Sequence, residues 1–134
     1  MKKAASPQIL IVEDDGPLLE VLQYVLEDAG YRVLTAEDGP AALKLAVADQ
    51  VELVLLDVGL AHMSGFDVAR ALRSNNATSH IAIAFHTGMD EDTVRSNCSD
   101  YDLLLPKADD VGLLLSSIES LVKRQRPAAA PNDA

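Results

Sequence analysis

Aromatic residues are scarce in this chain: they make up 4% of its 134 residues, with no tryptophan. That composition excludes the stacked-ring platforms by which proteins grip single-stranded nucleic acid. Basic residues are also in short supply, 11 Lys and Arg against 21 Asp and Glu, for a formal net charge of −10. Such a balance repels phosphate backbones and anionic lipid, so neither nucleic acid nor a membrane surface is expected as a direct partner. Cys98 is the sole cysteine, so no intramolecular disulfide can form and a reducing compartment is expected. No apolar run approaches the roughly 20 residues of a membrane span. The opening "MKK" is followed only by the short run Ile9–Val12 before acids begin, too little for a signal-peptide core. These absences point to a cytoplasmic domain.

What is present is core-forming material: 49% of the residues are hydrophobic, enough for one well-packed domain. Short apolar runs alternate with helical patterns. The runs are "QILIV" (8–12), "YRVLTA" (31–36), "VELVLLD" (51–57), "HIAIAFHT" (80–87) and "YDLLLP" (101–106). Three are nearly continuous in apolar residues, as strands covered on both faces are. "YRVLTA" alternates, which suits one sheet edge, and Pro106 suits the other. Between the runs lie helices with readable ends. Asp15-Gly16-Pro17 and Asp38-Gly39-Pro40 each place a capping acid before a proline in the first turn, and Gly30 closes the first helix. Ser64 can cap the third helix, and Asp109 or Asp110 the last, which ends in basic residues. Residues 88–100 support one short, polar helix at most. A flexible arm is expected at 1–7, one domain at 8–125, and a disordered tail or cut linker at 126–134. No basic helix-turn-helix or second core is visible.

Alternating strands and helices imply right-handed βαβ units and a doubly wound parallel sheet, whose ligands bind beyond the carboxyl ends of the strands. The runs end there in Glu13-Asp14-Asp15, Asp57, Thr87 and Lys107. In the order 2-1-3-4-5 the first and third strands are neighbours, so their acids share one crevice. Clustered carboxylates repel unless a cation sits among them, and all-oxygen ligation suits a hard divalent ion, Mg²⁺ above all. A metal, an ammonium and a hydroxyl around one carboxylate are what a phosphoryl group needs for charge neutralisation. Asp57, alone at the centre of the sheet, is the natural nucleophile for an aspartyl phosphate.

"ILIVEDD", "LLDVGLAHMSG", "HT" at 86–87 and "PK" at 106–107 together resemble the receiver domain of two-component response regulators, over about residues 8–124. The resemblance implies strand order 2-1-3-4-5 in a flavodoxin-like three-layer sandwich. It also implies Asp57 as phosphoacceptor, with Mg²⁺ held directly by Asp14 and Asp57, through water by Glu13, and by the Gly59 carbonyl. Thr87 and Lys107 would hold phosphoryl oxygens. The implied partners are a histidine kinase or histidine phosphotransfer domain and a downstream protein, the chain itself being a monomer or weak dimer. It would be a signalling switch and no enzyme beyond self-phosphotransfer and self-dephosphorylation.

The chain departs from the family pattern in places. Ala61 replaces the usual proline of the loop after the phosphoacceptor, and Lys107-Ala108 replaces the usual Lys-Pro pair, with Pro106 on the other side. Two registers are therefore possible, and the spacing of Leu114, Leu115, Ile118 and Leu121 selects the one that starts from Lys107. A cis bond after Lys107 is not expected, because a cis peptide before a non-proline residue costs about 2.5–4 kcal/mol. Leu104 stands where the family carries an aromatic switch residue.

Other readings are weaker. A dehalogenase-like phosphatase needs a second acid two residues after its nucleophile, where Gly59 stands. A flavin carrier needs a phosphate-binding loop after the first strand, where "EDDGP" is acidic. An interaction module that signals without phosphorylation stays open through Leu104 and Ala108. His62, His80 and His86 lack metal-ligand spacing and read as loop or strand-end residues, although His86 is close to the site. Cys98 reads as an incidental thiol, and Asp15 as a cap alone.

Overall fold

A computed structural model describes residues 6–125, and the tail expected at 126–134 and most of the arm expected at 1–7 lie outside the described residues. The elements alternate in chain order: β1 (Gln8–Val12), α1 (Gly16–Asp28), β2 (Arg32–Ala36), α2 (Gly39–Ala48), β3 (Leu53–Leu56), α3 (Gly65–Ser74), β4 (Ala82–Thr87), α4 (Glu91–Asn97), β5 (Leu103–Pro106) and α5 (Val111–Gln125). All strand pairings are parallel and the sheet order is β2-β1-β3-β4-β5. The expected fold class is the observed one.

Helix starts follow the capping chemistry. The side chains of Asp15, Asp38 and Ser64 accept from the amides of Leu18, Ala41 and Asp67, each three residues on. At the last helix Asp110, not Asp109, is the cap: its Oδ1 accepts from Leu113 at 2.8 Å. Gly30 leaves α1 with φ +101°, a conformation in which glycine alone is unstrained. β1 starts with its apolar run, whereas the other four strands begin one or two residues later than theirs. Val51 and Ile81 are buried without belonging to a strand, both packed into the core shared with α2, α3 and α4.

Strand alternation divides the core in two. Ile9, Ile11, Leu53, Leu55, Ala82, Ala84 and Leu105 face α1 and α5, meeting Leu19, Leu22, Leu26, Leu114 and Ile118. Leu10, Val12, Val54, Leu56, Ile83 and Phe85 face the other way, onto Ala42, Ala46, Val68, Leu72 and Val94 of α2, α3 and α4. Leu104 lies on this second side and is half-buried, less enclosed than a core strand residue, because β5 is an edge. Among the described residues no peptide bond is cis, including the one after Lys107.

Arg73 ties the amino-terminal ends of the last two strands to α3. Its side chain pairs with Asp102 at 2.8 Å and Asp100 at 3.1 Å, and donates to the carbonyls of Ser79 and Ile81. Asp102 Oδ2 also accepts the Ile83 amide at 2.8 Å. Most of this guanidinium is shielded, with 17% of the side chain exposed, so its bonds are less screened than those of a surface pair. Arg73→Ala takes a donor from two carbonyls and leaves the Asp102 carboxylate with the Ile83 amide alone. The expected cost is about 2–3 kcal/mol in urea unfolding, with faster hydrogen exchange at Ile83; an unchanged midpoint would rule out the clamp.

Candidate functional site

The acids that end β1 and β3 are placed by backbone bonds that continue the sheet for one residue. The Glu13 amide donates to Ala36 O at 3.1 Å, the Asp57 amide to Val12 O at 3.0 Å, and the Lys107 amide to Thr87 O at 2.9 Å. Each side chain therefore leaves a backbone that packing has already fixed. Behind Asp57, Gly65 is indispensable. A Cβ there would collide with the backbone of Asp57 and Val58, and the Gly65 amide donates to Val58 O at 2.8 Å. The turn that presents Asp57 can close only over a hydrogen.

Glu13, Asp14 and Asp57 each offer a carboxylate oxygen, and these oxygens lie within 4.8 Å of one another. Glu13 and Asp57 are buried, with 1% and 7% exposed, whereas Asp14 is open to solvent. Lys107 Nζ stands 3.3 Å from Glu13 Oε1 and 3.3 Å from Asp57 Oδ1, with about a third of its side chain exposed. Burial, and then the neighbouring Asp57 charge, push the Glu13 carboxyl above its ordinary range; the Asp15 amide and Lys107 offset this only in part. Burial alone would depress Lys107, but Asp57 and Glu13 outweigh it and hold its ammonium above its usual value. Glu13 Oε2 accepts the Asp15 amide at 3.3 Å, while Oε1 is buried without an aligned hydrogen bond. An all-oxygen set of three clustered carboxylates suits a hard divalent cation.

The remaining candidates surround these groups. Thr87 ends β4, 3% exposed, and its Oγ1 accepts the Met89 amide at 3.1 Å. Gly59 lies on the exposed loop after β3, with nothing within 4 Å of where a Cβ would stand. The Asp15 side chain caps α1. Sequence reasoning missed Gly65, which looks like any helix-start glycine until the approach of Asp57 is seen. His86, which the sequence already placed close to the site, is 5% exposed with its Nδ1 unpartnered.

The model of the response regulator receiver domain family matches residues 9–119. The chain belongs to that family. The receiver domain is 35% identical over 120 residues to the DNA-binding dual master transcriptional regulator RpaA of Synechocystis, covering 88% of this chain and 50% of that one. It superposes on chemotaxis protein CheY4 of Vibrio cholerae with a TM-score of 0.82 and 25% identity, covering 87% of this chain and 98% of that one. The receiver domain of a sensor histidine kinase of Pseudomonas aeruginosa, solved with a magnesium ion coordinated in its active-site cleft, matches with a TM-score of 0.81 and 25% identity, over 88% and 98% of the two chains. The chain spans about a quarter to a half of the curated relatives it matches. Receiver domains are signalling modules, and no described helix here is long and apolar enough to cross a membrane.

The raised Glu13 carboxyl has a measurable consequence for this receiver. A carboxyl whose folded pKa exceeds its unfolded value adds stability below the unfolded value and loses it as pH rises through the folded one. As pH rises, metal-free protein therefore loses the stability that the neutral Glu13 carboxyl contributes. Glu13→Gln is expected to raise the metal-free Tm by several degrees and to shrink the further rise on adding Mg²⁺. Calorimetry with and without chelator reads both; a lower metal-free Tm in the variant would contradict the electrostatic assignment.

Proposed function

We propose that this receiver accepts a phosphoryl group on Asp57 from a histidine kinase or histidine phosphotransfer domain and signals by protein–protein contact. The observation that carries the reading is the buried Asp57 carboxylate beside Lys107, with Glu13 and Asp14 completing an all-oxygen set. An Asp57 carboxylate oxygen attacks phosphorus in line with the leaving nitrogen of a phosphohistidine. The P–O bond forms as the P–N bond breaks, and the imidazole leaves with the electron pair. Asp14 and Asp57 would hold Mg²⁺ directly, with Glu13 through water and the Gly59 carbonyl as a further ligand. When bound, the ion supplies positive charge to the transferring phosphoryl oxygens. The partly exposed Lys107 ammonium can move from Glu13 to a phosphoryl oxygen while keeping an anionic partner. Thr87 Oγ1 accepts from Met89, so its own proton is free to donate to a second oxygen.

The response would run from Thr87 into residues 88–100. Gly88 follows at once, and α4 is a single seven-residue helix with one buried residue, Val94, so little packing resists a shift. Self-dephosphorylation is expected to be slow to moderate. Gly59 and Met89, each two residues beyond Asp57 and Thr87, flank the path of attacking water, and neither side chain can orient it. Receiver output would take place in the cytoplasm, through a downstream protein or a domain joined to this one, as a monomer or weak dimer.

Acetyl phosphate with Mg²⁺ should add one phosphoryl mass to the intact protein. Asp57→Asn should abolish the gain, and Asp14→Ala should reduce it more than Glu13→Ala. Full labelling of Asp57→Asn, or labelling in excess chelator, would refute the site. Beryllofluoride, a phosphoryl mimic, should shift the backbone amides of residues 88–100. A response confined to the Asp57 pocket would favour an interaction module without a phosphorylation switch, the reading that Leu104 keeps open.

A further inference from the structure

His86 is the one buried titratable side chain near the acids to which the reading above gives no work. Leu56 pairs with Phe85, so the next residues on those neighbouring strands, Asp57 and His86, stand side by side. Adjacent strands are only about 4.8 Å apart. Leu55 and Ala84 both face α1 and α5, and one alternation further on Asp57 and His86 return to that face. The even-numbered residues of β4 before it, Ala82 and Ala84, are fully enclosed core. At this parity the chain carries an imidazole, 5% exposed, whose Nδ1 has no hydrogen-bond partner. A core histidine kept for packing alone would be expected to satisfy that nitrogen, because a buried polar atom left unpaired is costly.

The charges acting on the ring define what it can recognise. Burial and the Lys107 ammonium keep the imidazole in its neutral form, against the opposing pull of Asp57 and Asp109. A neutral imidazole has one N–H to give and one lone pair. It does not belong to the cluster of possible cation ligands formed by Glu13, Asp14 and Asp57. A phosphoryl group on Asp57 would bring three acceptor oxygens to the strand beside it, with Lys107 already engaged on the same side.

We infer that His86 is a phosphoryl-binding residue: from the strand beside Asp57, its imidazole N–H donates a hydrogen bond to an oxygen of the aspartyl phosphate. The inference rests on Asp57 being the phosphoacceptor. It adds a third donor, beside Lys107 and Thr87, on the side of the pocket opposite Glu13. His86 thereby acts on how firmly the phosphorylated state is held, from outside the set of candidate cation ligands.

Beryllofluoride in the presence of Mg²⁺ is the probe, because its fluorines take the places of the phosphoryl oxygens. In the wild-type protein a nuclear Overhauser contact is expected between bound ¹⁹F and an imidazole N–H proton of ¹⁵N-labelled His86. His86→Val should weaken beryllofluoride binding about two- to tenfold, the range of one net hydrogen bond. His86→Asn, whose Nδ2 occupies the place of the imidazole Nδ1, should bind within twofold of wild type. Mg²⁺ affinity without beryllofluoride should be alike in all of these proteins. Wild-type-like affinity in His86→Val, or no fluorine contact in a protein that labels normally on Asp57, would overturn the inference. The fluorine contact needs no variant, so a poorly folded substitution leaves the test intact. A wild type that neither binds beryllofluoride nor labels on Asp57 would instead overturn the phosphoacceptor reading itself.

Discussion

One ammonium group stands between two buried carboxylates, and the rest of the site is arranged around that fact. Glu13 and Asp57 are carried on adjacent strands and almost closed off from water, so their like charges act on each other through a weakly screening interior. Lys107, 3.3 Å from both, relieves the repulsion without cancelling it, as the raised Glu13 carboxyl records. The pocket is thus built under electrostatic tension that additional positive charge reduces. A domain that kept these acids for capping alone would have no reason to bury two of them side by side.

Getting Lys107 to that position is a problem of register. Because every strand runs the same way, all five carboxyl ends open on one edge of the sheet, and each functional side chain sits one residue past the last ladder bond or at it. A slip of one residue in β5 would turn Lys107 to the opposite face and bring Pro106 over the acids. The register is held far from the site, where Arg73 grips the fronts of β4 and β5, and along the strand by Leu105 in one core and Leu104 against the other. Chemistry at one end of the sheet therefore depends on a clamp at the other.

The edge that flanks the site carries an open groove. Phe85, immediately before His86 and Thr87, meets Phe66 edge-on at 5.5 Å and Tyr101 at 5.3 Å. Tyr101, Leu104 and Met89 then line an open groove of about 920 Å³ between α4 and β5. Ring contacts link the strand that carries Thr87 to that groove, although no ring stands at position 104 itself. Leu104, the second residue of β5, is aliphatic, and a tyrosine stands three residues earlier.

Much of this was legible in the chain. Continuous apolar runs can be satisfied only by strands covered on both faces, and acids, threonine and lysine at their ends can meet only where parallel strands finish, so fold class and candidate pocket followed from local pattern, and strand order from the resemblance to receiver domains. Capping acids were equally readable, since a cap bonds within three residues of itself. What the pattern left open were the relations that span the chain. The choice between Asp109 and Asp110 as the α5 cap was settled only in the structure, although helix spacing had already selected the β5 register that starts from Lys107. Gly65 acquired its role from the backbone of Asp57, Arg73 from acids 27 and 29 residues away. His86, set aside as a strand-end histidine, became conspicuous only once β3 and β4 were paired and its ring was found buried with a bare nitrogen. Local sequence determines which side chains stand at strand ends and which face they take, because alternation and capping are short-range. How deeply each is buried, and which charge it meets there, only the tertiary structure decides, because both depend on neighbours brought together from distant parts of the chain.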